Sequence, residues 1–395
     1  MVRLARTLAL PVGSLIFAFL VGGIIVALTG GDPFRAYRSL ACGGFGILCF
    51  RGENTALQIS NTIIFLTPLI MTGVAVALAF RGGLFNIGAE GQLIAGAIAC
   101  TFVGIQLSSW PAPILLPLVL IVGALAGAAW GGIVGVLKAV TGAHEVVTTI
   151  MLNYVAQWSL RFLIIGGPLQ APNGFSASSP IGTGAQLATL LPQEGGRIFG
   201  LPSSVYGAHV GVFIALLAAA AYAFLLWRTS LGYEIRAVGQ SQRAARYAGV
   251  SVRRTIIVTM LISGAFAGLA GAVQVAGVDH NLTDKYFVDT TGFDAIAVAL
   301  LGLTTAVGIV LAAILFGALH AGSAVMQSDA GISSSLVLVL QALILFSIAA
   351  NFLGAIKLRL PAIGRTPATP DAGASAIAPA TEADTTLAAD TESTA

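Results

Sequence analysis

Long apolar runs separated by short polar breaks dominate the chain. A helix needs about 20 apolar residues to cross a bilayer. Runs of that length lie at about 8–28, 57–79, 84–107, 114–137, 145–165, 207–227, 255–278 and 335–353. A longer stretch, 293–321, is interrupted by Gly302, Thr304 and Thr305. It reads as two shorter elements, 293–303 and 306–321. The pattern predicts an all-α fold: a polytopic transmembrane helical bundle of about ten membrane elements.

Charge orients the bundle. Arg3 and Arg6 precede the first run, which is longer than the apolar region of an ordinary signal peptide. It reads as an uncleaved helix entering from the cytoplasm. Ten elements place both termini inside. Arg81, Lys138, Arg228, Arg236, Arg243, Arg246, Arg253, Arg254, Lys357, Arg359 and Arg365 are then cytoplasmic. The outer segments keep Arg35, Arg38, Arg51, Arg197 and Lys285. That asymmetry follows the positive-inside rule. Two outer segments, 29–54 and 166–206, are long enough to read as loops where an external partner docks.

Composition narrows the class. Hydrophobic residues make up 57% and charged residues 9%, against roughly 25% charged in soluble domains. A net charge of +3 excludes most nucleic-acid binders. The 48 glycines suit membrane helices that approach closely. Residues 366–395 carry Asp371, Glu382, Asp384, Asp390 and Glu392 but no Lys or Arg. We therefore expect a membrane domain over 1–360 and a disordered acidic cytoplasmic tail over 361–395. Cys42 and Cys49 share one outer segment, where a bridge can form; Cys100 lies in an apolar run and reads as packing. The cysteines and histidines show no metal-ligand spacing.

Chemistry concentrates in a few breaks. Arg81 to Gln92 packs four glycines around Phe85, Asn86 and Glu90 between two apolar runs. Irregular backbone at membrane depth needs protein or a water-filled cavity beside it. A carboxylate there points to function. The plainer reading is a tight turn, with Glu90 paired to Arg81 or capping a helix. Glu145 opens a run in which Asn153 and Thr149 share its face, so Asn153 either bonds a neighbour or lines a polar path. Asp294 either caps a helix near the outer surface or borders the pathway. Gly123, Gly127, Gly131 and Gly135 share one helix face. The strings Gly123-Ala-Leu-Ala-Gly127 and Gly264-Ala-Phe-Ala-Gly268 look alike, which reads mainly as packing.

The largest inner polar segment is 228–254. Ser241 is a good N-cap and Gly249 a good residue just past a helix end. They bracket a helix of about seven residues, with Ala244, Ala245 and Ala248 on one face and Arg243 and Arg246 beside them. Ser251 can cap the next helix. Such a helix suits a groove on another protein; the alternative is a basic loop on anionic lipid.

Five motifs carry a family resemblance. They are Pro68-Leu-Ile-Met-Thr-Gly73, Gly83-Leu-Phe-Asn-Ile-Gly-Ala-Glu-Gly-Gln92, Glu145-Val-Val-Thr-Thr-Ile-Met-Leu-Asn-Tyr154, Ala244-Ala-Arg-Tyr-Ala-Gly249 and Gly292-Phe-Asp-Ala-Ile-Ala-Val-Ala-Leu-Leu-Gly302. The chain resembles permeases of ATP-binding-cassette importers for branched-chain amino acids, ribose and nucleosides, most of all the longer permease of nucleoside or simple-sugar importers. The resemblance implies a pathway-forming subunit that is not itself an enzyme and binds no cofactor. ATP and Mg would be used by a partner ATPase. A second, different and shorter permease and an extracytoplasmic substrate-binding protein would complete the assembly in the inner or plasma membrane. It implies that Arg243, Ala244, Ala245, Arg246 and Gly249 contact the ATPase. Phe85, Asn86, Glu90, Gln92, Asn153 and Asp294 are the pathway candidates. The stretch after Gly302, Leu-Thr-Thr-Ala-Val-Gly308, departs from the polar, proline-containing turn expected there.

One part of this stands on residues alone. A phosphate-binding loop needs Gly-Lys before Ser or Thr. Lys138, Lys285 and Lys357 follow Leu, Asp and Ile, so ATP hydrolysis through such a loop falls to another chain. The competing reading is an ion-coupled secondary transporter. Its weakness is that Glu90 is the one strong embedded acid.

Overall fold

The computed structural model describes residues 2–49, 55–172, 174–190, 207–288 and 290–349. The acidic tail, the boundary near residue 360, and Arg51, Arg197, Lys357, Arg359 and Arg365 lie outside the described residues.

Fourteen α-helices occur among the described residues. They are α1 (Val2–Leu28), α2 (Pro33–Phe45), α3 (Thr55–Arg81), α4 (Ala89–Gln106), α5 (Ala112–Thr141), α6 (Glu145–Ile164) and α7 (Gly211–Arg228). There follow α8 (Ser230–Gln240), α9 (Gln242–Tyr247), α10 (Val252–Gln274), α11 (Lys285–Val288), α12 (Thr291–Leu301), α13 (Ala306–Ala330) and α14 (Ser335–Ala349). Each apolar run coincides over most of its described length with one of these helices, although the run at 84–107 becomes helical only at Ala89. Seven helices among the described residues are long and apolar enough to cross a membrane: α1, α3, α4, α5, α7, α10 with its π turn, and α13. The α12 and α14 helices are apolar but shorter. The interrupted stretch is indeed two helices, broken at Gly302–Thr305.

The α3 helix forms the middle of the bundle, buried almost all round, with α10, α13, α12 and α7 against it. Thr67 and Thr72 donate to the Ile63 and Pro68 carbonyls at 2.7 Å, which satisfies their hydroxyls without a partner helix. Pro68 has no N–H, so the helix loses its bond to the Ile64 carbonyl.

Glycines set the closest crossing. The α5 face of Gly123, Gly127, Gly131 and Gly135 lies on α10, where it meets Gly264 and Gly268. The two similar strings therefore pack on each other. A Cβ on Gly127 would strike the Gly264 carbonyl, and one on Gly268 the Gly123 carbonyl. Gly96 of α4 joins the junction against Gly268. Helices in lipid gain association energy from such contact, because lipid tails are as apolar as leucine.

The described part of segment 29–54 is not simply a loop, as its polarity suggested. It holds α2, started by Asp32, whose side chain accepts from Phe34 N at 2.9 Å, with Pro33 at the first helical position. Gly43 and Gly44 lay α2 onto the Gly322 and Ala318 backbone of α13. The Asp-Pro pair was a legible start signal. Cys42 and Cys49 form a disulfide across the α2 terminus. Cys100 is buried on the Ala272 carbonyl.

The described part of 166–206 folds onto the end of α10. Ser178 N donates to the Leu282 carbonyl, and Ile181 N to His280, both at 2.8 Å. His209 is fully buried there, wedged against Gly211 and Gly277. Burial, then the neighbouring His280, pushes its pKa down from 6.5 to about 4. Folding thus favours the neutral ring. Its stabilisation is complete above the unfolded value of 6.5 and drains away as pH falls towards 4. Between pH 7.5 and 5 the loss should reach about 2 kcal/mol, at about 1.36 kcal/mol per unit. Thermal unfolding in detergent should show a lower Tm at pH 5, and His209→Gln should flatten that dependence.

Candidate functional site

Five of the six pathway candidates sit around the break between α3 and α4. Residues 84–88 are not helical, and α4 starts only at Ala89. Asn86 is fully buried and donates to Gln92 Oε1 at 2.9 Å and Ser263 Oγ at 2.7 Å. Its Oδ1 accepts from Gly88 N and Gln92 Nε2. Ser263 Oγ donates in turn to the Ala75 carbonyl at 2.7 Å. Asn153 reaches in from α6, accepting from Gly91 N at 2.8 Å and donating to the Ile87 carbonyl at 2.9 Å. Asn86 and Asn153 thus satisfy backbone at the break, at Gly88 N, Gly91 N and the Ile87 carbonyl, while Gln92 and Ser263 satisfy the Asn86 side chain. Phe85 points away, 55% exposed, with its ring 5.1 Å from Phe80.

Glu90 is fully buried. Its partner is not Arg81. Its Oε2 accepts from Gly292 N at 2.6 Å, at the start of α12. A carboxylate at a helix N-terminus meets orphan N–H groups and the positive end of the dipole. Gly292 is needed because a Cβ there would meet Glu90 itself.

Arg81 instead reaches the break between α12 and α13. It donates to the Leu303 and Thr304 carbonyls at 3.4 and 3.3 Å, and Tyr222 donates to Thr304 at 2.8 Å. Leu303 and Thr304 have φ of 52° and 51°, a left-handed pair costly for residues with a Cβ. This is the turn whose sequence departed from the expected pattern. The Arg81 guanidinium lies 6.0 Å from the Trp227 ring, and that of Arg236 lies 4.4 Å from the same ring. The Arg81 backbone abuts Gly239 of α8.

The sixth candidate, Asp294, lines a separate cavity of about 300 Å³. Asn61, Ile64, Phe65, Pro68 and Leu69 of α3 form one wall. Gln274, Val278, Lys285, Tyr286, Thr291 and His320 complete it with Asp294. Asp294 Oδ2 lies 2.9 Å from His320 Nε2, and Phe65 stacks on the His320 ring at 5.5 Å and 20°. Asp279 ends a π turn, Val275–Asp279, that continues α10. It accepts from Lys285 at 2.9 Å, Tyr286 at 2.8 Å and Gln274 at 3.2 Å. Gln274 and His320 stood out in the sequence as polar residues in apolar runs, weaker cases than Asp294; Asn61 and Phe65 carried no motif, and all of them meet Asp294 only through helix packing. The π turn likewise left no local signal, although such turns often mark functional positions.

The α9 helix matches its bracket closely. Ser241 accepts from Ala244 N at 3.3 Å, and Gly249 follows the helix with φ of 82°. Ala245 is buried, whereas Arg243, Ala244, Arg246 and Gly249 are exposed. Tyr247 is 94% exposed. Ser251 occupies the N-cap of α10, but its side chain makes no capping bond. Lys138 and Glu145 pair at 2.7 Å across the Gly142 turn that joins α5 to α6. The outward side of α6 carries Met151, Tyr154, Trp158 and Phe162, all exposed.

Sequence comparison agrees with this architecture. The chain is 40% identical over 352 residues to the guanosine ABC transporter permease protein NupP of Bacillus subtilis, covering 89% of this chain and 96% of that protein. It is 34% identical over 359 residues to the nucleoside ABC transporter permease protein NupB of Lactococcus lactis, covering 90% and 94%. It is 36% identical over 347 residues to the glucose ABC transporter permease protein TsgB13 of Haloferax volcanii, covering 87% of each. No solved structure matches significantly. Residues 58–349 match the family described as branched-chain amino acid transport system permease component. With that match and those relatives, this multi-pass membrane protein belongs to the permease family of ATP-binding-cassette transport systems.

Proposed function

We infer that this chain is a pathway-forming permease subunit of an ATP-driven importer of nucleosides or simple sugars. The observation that carries the reading is the near full-length similarity to permeases of nucleoside and sugar transporters. The chain itself binds no cofactor in this reading. ATP and Mg belong to a separate ATPase, and an extracytoplasmic binding protein delivers the solute. A second, shorter permease completes the pathway; the exposed aromatic side of α6 supports a chain packed there.

The ten membrane elements run with both termini in the cytoplasm. The Cys42–Cys49 bridge supports this orientation, since disulfides persist on the oxidising side. The α9 helix then faces the cytoplasm and contacts the ATPase through Arg243, Ala244, Ala245, Arg246 and Gly249. Tyr247 joins them: exposed Tyr and Arg are the residue types that anchor interfaces. Buried Ala245 ties α9 to the body, so a push on α9 moves α8.

From α8 the path is continuous. Gly239 abuts Arg81, and Arg81 with Tyr222 holds the left-handed Leu303–Thr304 turn. That turn ends α12, whose other end carries Asp294 in the cavity. Closure of the ATPase can thereby reposition the cavity wall. The permease forms no covalent bond; it offers two conformations whose balance the ATPase shifts.

A pull-down from native membrane tests the assembly. A stoichiometric chain with a phosphate-binding loop should accompany the permease. Gly249→Trp and Tyr247→Ala should leave the helical fold intact while substrate-stimulated ATP hydrolysis and uptake fall at least tenfold. Unchanged coupling in both variants would remove α9 from the ATPase contact.

A further inference from the structure

We propose that the cavity beside Asp294 reads a flat heteroaromatic base, with Phe65 as its stacking platform and Asp294 as acceptor for the base's N–H edge. The proposal rests on the importer reading above and selects between its two solute classes. The lining is apolar on much of its surface, through Ile64, Phe65, Pro68, Leu69, Leu93 and Val278. Its volume of about 300 Å³ is at the small end of ligand sites.

The polar groups are unequally available. Lys285, Tyr286 and Gln274 all converge on Asp279. Lys285 is thereby neutralised and does not offer a free cation to a carboxylate, which disfavours an amino acid as solute. His320 and Thr290 both address Oδ2 of Asp294, at 2.9 and 3.5 Å. Oδ1 of the same carboxylate has no protein partner among the described residues. It remains an acceptor beside the Phe65–His320 stack.

This distribution suits one solute shape. A pyranose carries hydroxyls around its whole rim, and each buried hydroxyl left unpaired is costly. A nucleobase keeps two apolar faces and confines its polarity to an edge. Phe65, 42% exposed, can cover one face, while Asp294 accepts from an edge with adjacent N–H donors such as guanine N1–H and N2–H. The open Oδ1 can take one such donor, whereas a base that presents an acceptor there, as adenine does with its N1, would set a lone pair against the carboxylate.

The test uses the complete importer in proteoliposomes: this permease with its partner permease, ATPase and binding protein. Uptake of labelled guanosine, adenosine and glucose is measured side by side. Wild type should accept guanosine best and glucose poorly. Phe65→Leu should raise the guanosine KM at least tenfold, and Phe65→Tyr should restore it. Asp294→Asn should reduce the preference for guanosine over adenosine about tenfold, with assembly checked by gel filtration. Because Asp294→Asn can disturb the His320 pair, Phe65→Leu is the independent arm. Guanosine uptake unchanged in Phe65→Leu overturns the base platform. Efficient glucose uptake without nucleoside uptake overturns the base reading but preserves ATP-driven import. If no solute enters and none stimulates ATP hydrolysis, the importer reading itself falls.

Discussion

Replacing Gly127 with leucine will leave almost no folded protein in the membrane. The new side chain would point into the Gly264 carbonyl and the Gly268 backbone on α10. Backbone cannot rotate aside as a flexible side chain can. Overpacking a well-formed core costs about 1–3 kcal/mol or more, and here three helices meet at one point. Gly96 of α4 and Gly123 of α5 crowd the same Gly268. Gly268→Leu should be as damaging, whereas Gly142→Ala should be mild: Gly142 has open space around it and a φ of 73°, so only backbone strain is added. The check is monodispersity after detergent extraction at matched expression. Normal gel-filtration profiles for Gly127→Leu and Gly268→Leu would show that α5 and α10 can separate without loss of fold.

The second large effect concerns motion rather than folding. Arg81→Ala should cut ATP-driven uptake at least tenfold while basal ATP hydrolysis by the assembly persists. Arg81 is where the α8 contact, the Trp227 ring and the Leu303–Thr304 turn come together. Without its guanidinium, the turn keeps the Tyr222 bond but loses its tie to α8. Thr304→Gly separates strain from coupling. It relieves a left-handed residue and should stabilise the fold by about 1 kcal/mol. If the strain serves transport, the same variant should slow uptake despite higher stability. Uptake at wild-type rate in Arg81→Ala would exclude this route from α9 to the cavity.

The competing ion-coupled reading weakens on the same geometry. Its best embedded acid, Glu90, is occupied in holding Gly292 at the start of α12. Asn86, Gln92 and Asn153 bond to each other's surroundings and to backbone at the α3–α4 break. Their polarity was conspicuous in the sequence because polar residues in an apolar run always are. Whether such residues face solute or support a break depends on neighbouring helices, and no local pattern carries that information.

Some features follow from local chemistry and were legible from the chain. Apolar runs must form helices in lipid, because every backbone group has to be satisfied within the segment. Ser241 and Gly249 act on their own neighbours, so the α9 bracket was readable. The glycine stripe on α5 was likewise visible, since a four-residue spacing returns to one helix face. The α2 helix could have been found from Asp32-Pro33, but its mixed polarity hid its packing on α13. Other features depend on contacts between residues far apart in the chain. The meeting of Phe65, Asp294 and His320, the clasp of Arg81 on Thr304, and the hold of Glu90 on Gly292 join separate helices. Helix crossing geometry sets these contacts, and it depends on the whole bundle's close packing at once. The residues supplied the groups; the packing chose which of them face a cavity.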